Sequence, residues 1–123
     1  MIEELEDMGK SNLHEVESRL LVLIAHVLKW QIQLPMMKTP MIYQDYDGRS
    51  CRTTIIEQRS RIAYSLENMP SLKSKMSEAV TKIYPKAVAF AVDETGLSES
   101  AFPTECPYTV EQLLDKKFYP ESQ

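Results

Sequence analysis

The stretch that decides the fold is residues 12–34, NLHEVESRLLVLIAHVLKWQIQL. Its apolar residues recur at alternating steps of three and four, the spacing with which one helix packs along another. The positions that form this seam are Leu13, Val16, Leu20, Leu23, Val27, Trp30 and Leu34. The spacing predicts one long helix that ends before Pro35, because proline cannot continue it.

A second apolar row, formed by Leu21, Ile24, Leu28 and Ile32, lies beside the seam. Together the two rows widen the apolar arc to roughly 200°, at about 100° per residue. An arc of that width predicts a helix that other elements contact on two sides. Helix 12–34 should therefore be the centre of the fold.

The rest of the chain predicts further helices of different lengths. Gly9 and Ser11 should end a short opening helix, and apolar stripes predict long helices over 51–68 and 72–94. Pro85 should kink the last of these, and Gly96 should form its left-handed C-terminal cap. Thr109 and Gln112 have the spacing of a capping box for a short terminal helix. The prediction is an all-α helical bundle.

Size and composition set the limits of the functional interpretation. The 123 residues suit a single domain, 1–123, and the abrupt start, within an amphipathic helix already under way, suggests that native residues precede it. Scattered glycines, two histidines and two separated cysteines form no phosphate loop or metal-ligand pattern, so we expect no cofactor and no metal. The acidic N-terminus does not resemble a secretory signal, and no apolar run approaches membrane-spanning length. We expect a cytoplasmic protein without a membrane partner.

Three charged residues fall on faces that should be buried. Glu17 lies inside the apolar arc of the central helix, and Arg52 and Arg59, one heptad apart, lie on the stripe of the next helix. Because a lone buried charge costs several kcal/mol, we predict that Glu17 pairs with Arg59 or Arg52. A pair of this kind either fixes the helix register or contributes to a ligand site.

Arg19 and His26 also share one face of the central helix, at the edge of the arc near Lys29 and Trp30. This Arg and His spacing is similar to the short signature of HEPN-type ribonucleases, in which a helical Arg and His face RNA. The structural alternative is that Arg19 pairs with Glu15, one turn earlier, and that these residues at the edge of the arc cover the edge of Trp30. The net charge of −4 argues against a nucleic-acid partner without excluding a local basic patch.

Seven segments in the same order resemble a bacterial, largely cyanobacterial family, domain-of-unknown-function family 29. They are residues 2–11, 17–20, 26–31, 54–59, 70–72, 94–97 and 102–108. Two departures are the length of the 35–48 loop and Cys51, where a tryptophan is common. The resemblance implies a helical fold and no established activity. It also places Glu17, Arg19, His26, Lys29, Trp30 and Arg59 among family-like positions.

Two functional hypotheses follow. The first is a non-enzymatic protein-interaction module, which binds an unknown protein partner or self-associates as a homo-oligomer. Its expected contact surface is the 35–48 loop, because methionine and tyrosine suit adaptable interfaces. The residues of that surface are Met36, Met37, Met41, Tyr43 and Tyr46. The alternative is a HEPN-like RNA-binding or ribonuclease domain that uses Arg19 and His26.

Overall fold

A computed structural model describes the backbone of residues 2–33 and 49–120 and the side chains of residues 12–32 and 51–120. Four α-helices occur in these ranges: α1 (Ile2–Leu28), α2 (Arg49–Asn68), α3 (Met76–Thr95) and α4 (Val110–Leu114). No strand occurs in either range. The prediction of an all-α bundle is confirmed. None of the helices in the described ranges is both long and apolar enough to cross a membrane.

Helix α1 differs from the prediction at its start. It runs without interruption from Ile2 to Leu28, so the expected break at Gly9 and Ser11 is wrong. A single glycine in a helix costs only about 1 kcal/mol relative to alanine, and the periodic apolar sequence beyond it continues the helix. At the other end the helix widens into a π-helical turn, Lys29–Gln33. Residues 34–48, with the predicted methionine and tyrosine surface, lie outside the described ranges.

The two other long helices pack on opposite sides of α1, as the wide apolar arc predicts. Helix α2 is antiparallel to α1, because Asn12 lies against Met69 at one end and Cys51 lies against His26 at the other. Helix α3 is parallel to α1, because Lys82 pairs with Glu17 and Glu94 pairs with Lys29. The seam residues Val16, Leu20, Leu23 and Val27 are completely buried.

The start of the third long helix differs from the prediction. A 3₁₀ turn, Pro70–Lys75, precedes α3, whose α-helical part begins at Met76 rather than at residue 72. Pro85 lies inside α3, and the kink there stays a prediction. Gly96 has φ of 72° and donates its N–H to the Val92 carbonyl, which confirms the left-handed cap.

The C-terminal segment, residues 97–120, completes the core. Phe102, Tyr108 and Leu113 are buried in it. The Tyr108 hydroxyl donates to Gln31 Oε1 of the π-helical turn over 2.6 Å, so the segment is attached to the end of α1. The capping box of Thr109 and Gln112 is present, as predicted, and begins helix α4.

Candidate functional site

Glu17 is buried as predicted, but its partner is not the one expected. It is 8% exposed, and its Oε2 lies 3.1 Å from Nζ of Lys82 on α3. The predicted pair with Arg59 or Arg52 is therefore wrong. The helical wheel gives the direction of Glu17 toward the core but does not say which neighbour covers it. Helix α3, not α2, lies beside that carboxylate.

Arg59 on α2 is the most deeply buried cation that the structure describes, at 3% exposure. Its Nε donates to the Leu113 carbonyl over 2.7 Å, and its Nη2 donates to the Phe118 carbonyl over 2.8 Å. Both acceptors belong to the C-terminal segment, so one guanidinium holds this segment on α2. The third nitrogen, Nη1, is buried without a hydrogen-bond partner among the described residues.

The hydrogen bonds of Arg59 go to main-chain carbonyls and not to a carboxylate. Burial lowers the pKa of Arg59, and the nearby Tyr119 and Asp115 oppose that effect. A guanidinium nevertheless stays protonated at neutral pH. Arg59 is therefore a fixed, buried positive charge, and one of its donor nitrogens, Nη1, has no acceptor among the described residues.

Arg52 is exposed, which contradicts the prediction that it lies on a buried stripe. Heptad spacing places Arg52 and Arg59 on the same side of α2, but the chain that packs over this side does not bury both positions equally. The C-terminal segment bonds to Arg59 and leaves Arg52 open to solvent. The Arg52 guanidinium lies 5.5 Å from the ring centre of Tyr119.

Tyr119 connects the two predicted groups of residues. Its ring centre lies 5.3 Å from Cζ of Arg59 and 4.8 Å from the ring of Trp30 on α1. Both guanidiniums are within the range of cation–π attraction. No sequence signal singled out Tyr119, because it follows the last predicted helix in a stretch without periodicity.

A cleft of about 330 Å³ lies between α2 and the C-terminal segment and is called here the Arg59 cleft. Its lining residues are Arg52, Ile56, Arg59, Ser60, Lys116 and Tyr119. Three are cations and none is acidic. Within the described ranges, none of the three cations forms an ion pair with a carboxylate. Ile56 is 51% exposed and gives the cleft an apolar wall.

Arg19 and His26 take part in separate contacts. Arg19 donates from Nη2 to Glu15 over 2.9 Å, the partner that the structural alternative predicted. It lines a different hollow, with Arg61 and Tyr64 of α2. The His26 ring instead packs 6.0 Å from Phe90 of α3, and its Nδ1 lies 2.8 Å from the Val22 carbonyl. Burial lowers the pKa of His26. The structure does not place the two side chains in one cleft.

Lys29 completes the edge strip of α1. Its Nζ lies 3.8 Å from Glu94 of α3. It thus pairs with a neighbouring helix instead of joining Arg59 in the cleft. Of the predicted candidates, the structure brings together Arg52, Arg59 and, through Tyr119, Trp30.

A larger hollow of about 610 Å³ lies between α3 and the C-terminal segment, and none of the predicted site residues lines it. Burial raises the pKa of Tyr84 to about 12 and also raises those of Tyr108 and Cys106. All three groups are therefore neutral at physiological pH. This hollow offers no charged group comparable to Arg59. Nor do the described side chains of His, Cys, Asp and Glu form any cluster of three that could hold a metal ion.

Comparison with protein-family models gives a match over almost the whole chain. The family model described as "Domain of unknown function DUF29" matches residues 1–119. No curated protein and no solved structure matches the chain.

Proposed function

The chain belongs to the DUF29 family, and from its cleft geometry we propose that it is a non-enzymatic protein-interaction module that binds an anionic segment of a partner protein. The observation that carries this proposal is the buried guanidinium of Arg59, with an unpartnered Nη1, in a cleft that contains two more cations. Buried polar groups are almost always hydrogen-bonded. An acceptor atom of a partner protein would give Nη1 of Arg59 its missing hydrogen bond.

The composition of the Arg59 cleft suits binding rather than catalysis. Arg52 and Lys116 at its rim would attract and orient an anionic partner. Ile56 and the Tyr119 ring give an apolar surface next to those charges. Arginine and tyrosine are enriched where protein interfaces have their largest energetic contributions.

The proposal includes a location in the bacterial cytoplasm. Both cysteines are free thiols, which suits a reducing compartment. The methionine and tyrosine loop at 35–48 remains a second predicted contact surface. The ribonuclease alternative gains no support, because Arg19 pairs with Glu15 of its own helix whereas His26 packs against Phe90 of α3.

A photo-crosslinking experiment tests the proposal. p-Benzoylphenylalanine is placed at Ile56, on the wall of the Arg59 cleft, or at Tyr64, which is 69% exposed on the same helix. We expect a defined crosslinked protein from position 56 and not from position 64. A crosslinked product of twice 14.2 kDa would identify a second copy as the partner.

Charge reversal in the same experiment separates specific binding from chance proximity. The Arg52→Glu/Lys116→Glu variant should lose the crosslink, and binding of the purified partner should weaken with added salt. Equal crosslinking from positions 56 and 64, or a crosslink that survives the charge reversal, would contradict the proposal.

A further inference from the structure

The ligand chemistry of the Arg59 cleft can be narrowed further. We infer that the cleft binds a phosphate monoester. The phosphate is carried on a phosphorylated side chain of the partner protein, and this source of the ligand rests on the proposed function. Three features of the cleft support this inference: the fixed orientation of Arg59, the number of cations and donors, and the apolar wall.

The guanidinium of Arg59 is held in place before any ligand binds. Nε and Nη2 are fixed by the Leu113 and Phe118 carbonyls at 2.7 and 2.8 Å. A guanidinium held by two bonds presents its remaining nitrogen in one direction, so little conformational entropy is lost when a ligand binds. Leaving a buried donor of this kind unpaired carries a free-energy cost. A ligand oxygen at Nη1 would remove that cost.

An acceptor reaches Nη1 only if a neighbouring side chain moves, because this nitrogen is itself buried. The side chains able to move are those of the cleft wall. Arg52 is exposed, and Tyr119, which is half-buried, has its ring 5.3 Å from the Arg59 guanidinium. We expect rotation of Tyr119, whose ring lies against the guanidinium, to open the cleft toward Arg59. Since Tyr119 packs on Trp30, ligand entry should change the environment of that indole.

The number of cations favours a phosphate over a carboxylate. Arg52, Arg59 and Lys116 supply three positive charges, and Ser60 supplies a hydroxyl donor. A carboxylate has one negative charge and two oxygens. A phosphate monoester has a charge of about −1.5 to −2 at neutral pH and three strong acceptor oxygens. It therefore matches the donors and charges of the cleft more fully.

The apolar wall favours a phosphate that is attached to a polypeptide. Ile56 is 51% exposed and lies on the same cleft as the three cations. An apolar residue of the partner, next to the phosphorylated side chain, would cover Ile56. Inorganic phosphate or a free phosphoamino acid would leave Ile56 in water, so these small ligands should bind more weakly than a phosphopeptide.

Direct titration of the whole chain tests the inference. The probe is an acetylated, amidated pentapeptide with phosphoserine next to leucine. The same peptide with serine or glutamate, free O-phosphoserine, inorganic phosphate and a single-stranded oligonucleotide serve as comparisons. Binding is measured by calorimetry and by the emission of Trp30, the one tryptophan of the sequence. We expect the phosphopeptide to bind at least tenfold more tightly than every comparison ligand.

A matched pair of variants shows whether the cleft is responsible. Arg52→Gln/Lys116→Gln removes two cleft charges, and Arg61→Gln/Lys117→Gln removes two charges from the same two elements outside the cleft. The first variant should lose at least tenfold in phosphopeptide affinity, and the second should stay within twofold of the wild type. Equal losses in the two variants would overturn the inference.

The comparison ligands distinguish failure of the inference from failure of the proposed function. Equal binding of the glutamate peptide and the phosphopeptide would overturn the phosphate assignment and leave the protein-interaction module standing. Equal binding of free O-phosphoserine would overturn the assignment to a protein-borne phosphate. Tighter binding of the oligonucleotide, or no binding of any peptide together with no crosslink from position 56, would overturn both.

Discussion

Replacing Arg59 with lysine tests how the guanidinium holds the C-terminal segment. The variant keeps the positive charge and most of the apolar stem. It loses the planar group that reaches the Leu113 and Phe118 carbonyls at once, over 2.7 and 2.8 Å. A lysine ammonium is a compact point charge on a shorter reach. We expect it to bond to one of these carbonyls at most.

The expected loss of stability follows from those two bonds. A hydrogen bond to a charged group contributes about 1.5–3 kcal/mol, and a carbonyl left buried without a partner costs about 1–3 kcal/mol. These figures describe overlapping parts of one change, so they are not added. Removal of the unpartnered Nη1 offsets part of the loss. We expect Arg59→Lys to lower the free energy of unfolding by about 2–3 kcal/mol.

Urea unfolding followed by Trp30 emission measures this loss, with Arg61→Lys as the matched control. Arg61 lies on the same helix and pairs with Glu57 at 3.0 Å, and both side chains are about half exposed. An exposed pair of this kind contributes about 0.2–1 kcal/mol, and lysine can keep it. The control should therefore stay within about 0.5 kcal/mol of the wild type. An Arg59→Lys variant as stable as this control would refute the role assigned to the guanidinium.

Three further predictions concern single residues. Because burial lowers the pKa of His26, its contribution to stability is complete above its unfolded pKa, near 6.5, and is lost as pH falls through that value toward the folded pKa. Urea midpoints measured from pH 7.5 to 5 should therefore fall less in His26→Gln than in the wild type or in the exposed His14→Gln control, and parallel profiles would contradict this. Burial raises the pKa of Cys51 to about 11, so its iodoacetamide labelling at pH 8, followed by mass spectrometry, should be roughly 10- to 25-fold slower in the folded than in the urea-unfolded chain; equal rates would count against the buried thiol. Gly96→Ala should cost about 1 kcal/mol in urea unfolding, because φ is 72° although no atom lies within 4 Å of the added Cβ; Gly96→Asn should cost less, and no loss in either variant would contradict the cap.

The apolar pattern of the sequence predicted most of the fold, because burial of periodic faces dominates helix packing. The wide arc of residues 12–34 correctly predicted a helix contacted on two sides, and local chemistry at Gly96 and Thr109 correctly predicted two caps. The break at Gly9 was wrong, because the small intrinsic cost of one glycine does not outweigh propagation of the helix. The 3₁₀ turn before α3 was missed, since the same apolar spacing suits either kind of helix at its first turn.

The candidate site was predicted only in part. The helical wheel correctly gave the burial of Glu17 and Arg59. It could not give their partners, because those lie on α3 and on the C-terminal segment, more than fifty residues away. Tyr119 and Lys116 had no signal of their own. Ile56 did have one, because it is an isoleucine off the buried stripe of its helix.

The proposed anion site depends on Nη1 of Arg59 as its unpartnered donor. Side-chain ¹⁵N spectra of the arginine guanidiniums, recorded while the phosphopeptide is added, test it most directly. We expect the Arg59 signals to shift saturably, with the same dissociation constant that calorimetry gives, while those of Arg61 stay in place. Saturable binding of the phosphopeptide with unchanged Arg59 signals, or equal shifts at Arg59 and Arg61, would contradict it.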